Sequence, residues 1–113
     1  MQSQFRVEVA SKGEASVVSV IGELDLASSP ALEEELERLA VGNAPVVIVD
    51  LSALEFMDST GLSVLVRAHH RSEETGQRFG LVNGSQQVQR LLSLTGVAER
   101  LTLEETPELL DEA

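Results

Sequence analysis

The chain has no cysteine, so its candidates for chemistry are a serine, a few carboxylates, two histidines and a pair of arginines. Asp58-Ser59-Thr60-Gly61-Leu62 follows an apolar stretch and opens a helical pattern. A serine at a helix opening has backbone N–H groups near its hydroxyl. Those groups and the helix dipole can accommodate an added phosphate. The dipole contribution is modest, about 0.3–1 kcal/mol at exposed sites. Gly61 lacks a β-carbon, which would let a partner's backbone or a nucleotide approach closely. Asp58 or Ser59 could equally do no more than cap the helix.

The other candidates point to weaker chemistry. Asp50 ends an apolar run, with Met57-Asp58 downstream, which invites comparison with the phosphate-accepting aspartate of a response-regulator receiver. That site needs an acidic pair after its first strand and a late lysine, and Lys12 is the sole lysine here. Asp50 reads instead as a strand-end residue bonding local backbone. A serine hydrolase would need a Gly-x-Ser-x-Gly elbow, which is missing, and a base from His69 or His70. Adjacent helical residues point roughly 100° apart, so the two histidines make a poor metal pair. His69 falls on an apolar stripe and is expected to be partly buried, with His70 solvated. Arg67 and Arg71, one turn apart, could bind a phosphate or form a solvated basic face. Glu104, Glu105, Glu108, Asp111 and Glu112 read as a solvated face and tail. With no cysteine, disulfides and thiolate metal sites are excluded.

These residues need elements to position them. Phe5, Val7 and Val9 alternate with polar residues, as in a half-buried strand. After a turn at Ser11–Glu14, Ala15 to Ile21 forms a second strand, giving an antiparallel hairpin. Gly22-Glu23-Leu24-Asp25 reads as a loop leaving it. Ser29-Pro30 reads as a helix cap followed by proline at the first helical position. Leu32, Leu36 and Leu39 share one face of that helix, and Gly42-Asn43-Ala44-Pro45 stops it. Val46-Val47-Ile48-Val49 is a β-branched run suited to a central strand buried on both faces. Leu51 to Met57 reads as a connecting loop, and a second helix runs from near Asp58 to Thr75-Gly76 with Leu62, Leu65, Val66 and His69 inward. Phe79, Leu81 and Val82 form a further strand. A third helix follows, with Ser85 near its cap, Val88, Leu91 and Leu92 inward, and Gly96 as its stop. Leu101 and Leu103 suggest a last strand, and Thr106-Pro107 opens a terminal helix with Leu109 and Leu110.

The order is β-β-α-β-α-β-α-β-α, an α/β class with a mixed four- to five-stranded sheet and helices packed mainly on one face. No repeat or linker divides it, so residues 1–113 read as one domain. The expected core includes Val20, Leu36, Val47, Ile48, Val49, Leu62, Leu65, Val66, Leu81 and Leu91. No apolar run approaches the roughly 20 residues of a membrane span, and Met1 to Lys12 is too polar for a signal peptide. The expectation is a cytoplasmic protein without membrane insertion. A formal net charge of −11 disfavours direct nucleic-acid binding and favours a basic protein surface as partner.

Residues Val46 to Leu65, with Asp50-Leu51-Ser52 and Phe56-Met57-Asp58-Ser59-Thr60-Gly61-Leu62, resemble the STAS domain family. Within it the segment looks most like the bacterial anti-anti-sigma factors, also called anti-sigma factor antagonists. Gly22-Glu23-Leu24-Asp25, Ser28-Ser29-Pro30 and Gly96-Val97 extend the resemblance over nearly the whole chain. Ser63 follows Leu62 where many members carry glycine or another small residue. The resemblance implies a non-enzymatic partner switch without a cofactor. The unmodified protein would bind an anti-sigma factor that is also a serine kinase of the GHKL type, freeing a sigma factor. Phosphorylation of Ser59 would end that binding, and a metal-dependent serine phosphatase would restore it. Gly22, Glu23, Asp25, Asp58, Thr60, Gly61 and Leu62 would form the partner site, with the Gly22–Asp25 loop beside the helix opening. The rival within the family is a STAS subunit of an ABC-type lipid transporter, or a stress-complex scaffold.

Overall fold

A computed structural model of the protein describes residues 5–82, 84–94 and 102–104. The elements are β1 (Arg6–Lys12), β2 (Ala15–Leu24), α1 (Ser29–Val41), β3 (Val46–Asp50), β4 (Leu54–Met57), α2 (Ser59–Thr75), β5 (Arg78–Val82), α3 (Gln86–Leu94) and β6 (Thr102–Glu104). Five strands lie in the order β1-β2-β3-β5-β6, and β4 pairs with β2 off that path. β1 and β2 are antiparallel, and every other pairing is parallel, bridged by the helices between. The expected mixed sheet is present. The stop at Gly96, the Gly96-Val97 match and the helix from Thr106 lie outside the described residues.

Alternation along β3 divides the interior. Val47 and Val49 join Leu32, Leu36 and Leu39 of α1, Leu62, Val64, Leu65 and Ala68 of α2, and Val88 and Leu92 of α3 in one large cluster. Val46 and Ile48 face the other way, into a smaller cluster with Ala15. The helices therefore cover mainly one face, and β3 is buried on both.

Five local readings change. β1 is mostly exposed rather than half-buried, because it lies at the sheet margin and among the described residues pairs with β2 alone. Gly22–Leu24 belongs to β2, and Leu54–Met57 is a strand rather than a loop. The two corrections share a cause: β2 outlasts β3, whose pairing stops at Ser19↔Asp50. The backbone groups of Gly22 to Leu24 then need new partners, and β4 supplies them with Gly22↔Leu54 and Leu24↔Met57. The α1 cap is Ser28, one residue before the expected Ser29, and its hydroxyl bonds elsewhere. Finally, Val66 and Leu91 are only partly buried, while Val64, Ala68 and Leu92 are buried. Small Ala68 and Ser72 let α2 sit close to the core, which rotates its buried stripe away from Val66.

Candidate functional site

The opening of α2 is held by Asp58. Its Oδ1 accepts the Gly61 N–H at 3.0 Å and its carbonyl accepts the Leu62 N–H at 3.0 Å. Its own N–H donates to the Leu24 carbonyl at 3.1 Å. Asp58, not Ser59, is therefore the cap, with extended backbone at φ −102° and ψ −176°. Ser59 stands in the first helical position with its side chain exposed. The N–H groups of a first helical turn have no acceptor within the helix, so the serine sits against a locally positive backbone. Ser63 Oγ donates back to the Ser59 carbonyl at 2.9 Å, a use of the hydroxyl that glycine could not make.

Gly61 has a different job from the one its sequence context suggests. It is buried, and a β-carbon there would lie 2.6 Å from Leu24 Cγ, 2.7 Å from Leu24 Cδ2 and 3.1 Å from Met57 Cγ. The open space is filled by this chain's own β2 and β4, so no partner backbone or nucleotide enters. Leu62 is also buried, in the main cluster. Both residues seat the helix opening from beneath. Asp58 and Thr60 are half-buried and Glu23 is exposed, so these carry the accessible atoms.

The Gly22–Asp25 segment does lie beside this opening, through the Leu24–Asp58 bond. Gly22 takes φ +100° where the β2–β4 register shifts, a conformation that favours glycine. Asp25 Oδ1 accepts the N–H groups of Ala27 and Ser28, each at 3.1 Å. Ser28 Oγ accepts the Asp25 N–H at 2.9 Å and donates to the Glu23 carbonyl at 2.8 Å, 3.1 Å from Asp25 Oδ1. Asp25 is thus the hub of a compact turn that leads into α1. Sequence reasoning gave Ser28 no such role, because Ser29, directly before Pro30, reads as the cap.

Two exposed apolar residues complete the surface: Leu26 at 74% and Phe56 at 40%. Phe56 pairs across the ladder with Glu23. Because β2 and β4 run parallel with Leu24 opposite Met57, Leu26 and Ser59 both leave the sheet at the same end. Glu23 and Phe56 alternate with the buried Leu24 and Met57, while Asp25, Leu26 and Ser59 follow where the two strands end. Gln87 of α3 also reaches this region, its side-chain amide bonding the backbone of Met57. Neither the apolar pair nor Gln87 carried a signal in the sequence that set it apart from ordinary polar or core positions.

The remaining candidates lie apart from this surface. Asp50 Oδ1 accepts the Ser52 N–H at 2.9 Å, the local backbone bond expected of it. His69 packs near Phe79, its side chain 14% exposed, while His70 is solvated. Among the described residues no three His, Asp or Glu side chains converge as metal ligands. Arg67 pairs with Glu33 at 2.7 Å across α1 and α2. No helix among the described residues is long and apolar enough to cross a membrane.

The family model for the STAS domain matches residues 6–109. The chain belongs to the STAS domain family. Among its relatives is the anti-sigma-F factor antagonist RsfB of Mycobacterium tuberculosis, 35% identical over 99 residues, spanning 86% of this chain and 79% of that protein. The anti-sigma-B factor antagonist of Bacillus subtilis is 37% identical over 82 residues, spanning 73% of this chain and 74% of that one. The crystal structure of an anti-sigma factor antagonist from Mycobacterium paratuberculosis superposes with a TM-score of 0.87 at 31% identity, covering 95% of this chain and 91% of that one. The STAS fold thus brings Ser59, Asp58, Glu23 and Asp25 to one end of the β2–β4 pair.

Proposed function

We propose that this STAS domain is a cytoplasmic anti-sigma factor antagonist, one binding domain rather than an enzyme, switched by phosphorylation of Ser59. The observation that carries the reading is the exposed Ser59 in the first turn of α2, directly after the Asp58 whose N–H is tied to the Leu24 carbonyl, next to Asp25 in the chain. Relatives named as anti-sigma factor antagonists support it. In this reading the unmodified surface binds an anti-sigma factor that is also a GHKL-type serine kinase. Leu26 and Phe56 provide apolar contact, and the carboxylates face a basic rim on the partner.

Phosphorylation joins Ser59 Oγ to the γ-phosphorus of ATP as the bond to the departing ADP breaks. The hydroxyl proton passes to a base on the kinase. The product carries about −1.5 to −2 additional charge at neutral pH. Within a closed interface that charge lies close to Asp58 and Asp25 and must be desolvated. A hundredfold loss of affinity requires about 2.7 kcal/mol, which an unpaired buried charge readily supplies. A serine phosphatase resets the switch. Glu23, Asp25, Asp58 and Thr60 contact the partner, while Gly22, Gly61 and Leu62 shape the surface from within.

The test is capture from native cell extract on immobilised wild-type, Ser59→Ala and Ser59→Glu protein, followed by incubation with ATP and intact-mass measurement. A GHKL kinase held by wild type and Ser59→Ala but not by Ser59→Glu, with one phosphate mapped to Ser59, is the expected result. Capture of an ABC ATPase instead, or phosphate transfer that survives Ser59→Ala, would overturn the reading.

A further inference from the structure

β4 is four residues long, and among the described residues β2 is its one strand partner. On its other side the chain supplies a side chain in place of a strand. Gln87 Oε1 accepts the N–H of Met57 at 2.9 Å, and Gln87 Nε2 donates to the carbonyl of Met57 at 2.9 Å. The pair of bonds fixes the orientation of the amide, since a flip would oppose oxygen to oxygen and nitrogen to nitrogen. Ser85 adds a bond from its Oγ to the Glu55 carbonyl at 3.3 Å. The helix that presents Gln87 is itself anchored, because Val88 and Leu92 are 0% and 1% exposed.

Met57 is followed at once by Asp58 and Ser59. The backbone is therefore gripped on alternate sides: Met57 by Gln87, then Asp58 by the Leu24 carbonyl at 3.1 Å. Past those two grips the chain turns into α2 with the Ser59 hydroxyl on the outside. We infer that Gln87 is a positioning residue for Ser59, holding the phosphate-accepting turn in the geometry that phosphoryl transfer needs. The inference rests on the reading of Ser59 as the phosphate acceptor. In-line transfer depends on placement of the attacking oxygen, and a displacement of about 1 Å can cost up to about a hundredfold in rate. Glu23, Asp25 and Leu26 lie on the β2 side of the site, which Gln87 does not touch. Loss of the clamp accordingly lowers kcat for Ser59 phosphorylation and leaves KM nearly unchanged.

The experiment compares wild type with Gln87→Ala, Gln87→Glu and Leu39→Ala, all at a temperature where each is folded. Leu39 is a core residue near the far end of α1, and its truncation costs at least as much global stability as loss of the clamp. Gln87→Glu keeps an acceptor for the Met57 N–H but turns a carboxylate oxygen on its carbonyl. Two quantities are read. One is amide hydrogen exchange at Asp58, Gly61 and Leu62 in the free protein. The other is kcat and KM for Ser59 phosphorylation by the kinase captured above. Both Gln87 variants are expected to speed exchange at those amides about tenfold and to lower kcat about tenfold with KM within about twofold. Leu39→Ala should do neither. Unchanged exchange at all three amides overturns the inference, and so does an equal fall in kcat for Leu39→Ala. A wild-type protein that takes no phosphate on Ser59 overturns the proposed function and this role with it. Faster exchange in the Gln87 variants would then mark the clamp as structural, so the two failures are told apart.

Discussion

The backbone carbonyl of Leu24 accepts the N–H of Asp58 at 3.1 Å, and this bond ties the end of β2 to the start of α2. The two residues are far apart in sequence, yet the turn that carries Asp25 and the turn that carries Ser59 share this link. Whatever moves one of them is felt at the other.

Gly61 is where that sharing is tightest. In Gly61→Ala the new methyl group would stand 2.6 Å from Leu24 Cγ, and Leu24 is 0% exposed with nowhere to retreat. Overpacking of this kind costs about 1–3 kcal/mol, against a gain in helix propensity of up to about 1 kcal/mol. A lower melting temperature is expected, together with a lower rate of Ser59 phosphorylation. Thermal denaturation and a phosphorylation time course check the two.

Ser59→Ala removes the hydroxyl from an exposed position whose capping is done by Asp58. Its stability should stay within about 0.5 kcal/mol of wild type, as for surface substitutions generally. It should take no phosphate and remain bound to the kinase in the presence of ATP. Ser59→Glu should bind more weakly than wild type and more tightly than the phosphorylated protein, because its added charge is smaller. Binding titrations on the three forms give the order.

Asp25→Ala and Asp25→Asn separate structure from charge. Alanine deletes the Oδ1 that accepts from Ala27 and Ser28, so the turn loosens and about 1–2 kcal/mol of stability is lost. Asparagine keeps that oxygen and should melt close to wild type. Its phosphorylated form should rebind the partner better than phosphorylated wild type, since one repelling charge is gone.

Leu26 is exposed enough that Leu26→Ser should leave the melting temperature unchanged. Its burial against a partner would contribute about 1.5–3 kcal/mol, so affinity should fall at least about tenfold. An unchanged dissociation constant would remove Leu26 from the contact surface.

How much of this was legible in the residues depends on the range of the interactions. The α2 cap, the stop at Gly76 and the two-faced burial of Val46–Val49 follow from local chemistry, and all are present. Asp58 beside Ser59 marks the helix opening by the same local logic. β4 was not legible, because Leu54-Glu55-Phe56-Met57 lacks alternation and becomes a strand only where β2 runs on past β3. Gln87 was hidden for a related reason: its partner, Met57, is 30 residues away. Gly61 was read as an opening for a partner's backbone or a nucleotide, but the group that approaches it is Leu24 of the same chain.

The exposed β1 has a consequence for life at high concentration. A marginal strand offers unpaired backbone groups on which a second copy could align and begin a fibre. Here Arg6, Glu8 and Lys12 recur at every second or fourth position along β1, all exposed, with Arg6 and Glu8 paired at 3.4 Å. Any copy laid alongside in register would have to desolvate that row of charges. The outermost strand thus resists edge-to-edge growth, and a −11 net charge adds long-range repulsion between copies. A protein whose proposed work is to exchange partners through one end of its sheet is protected from binding itself through its side.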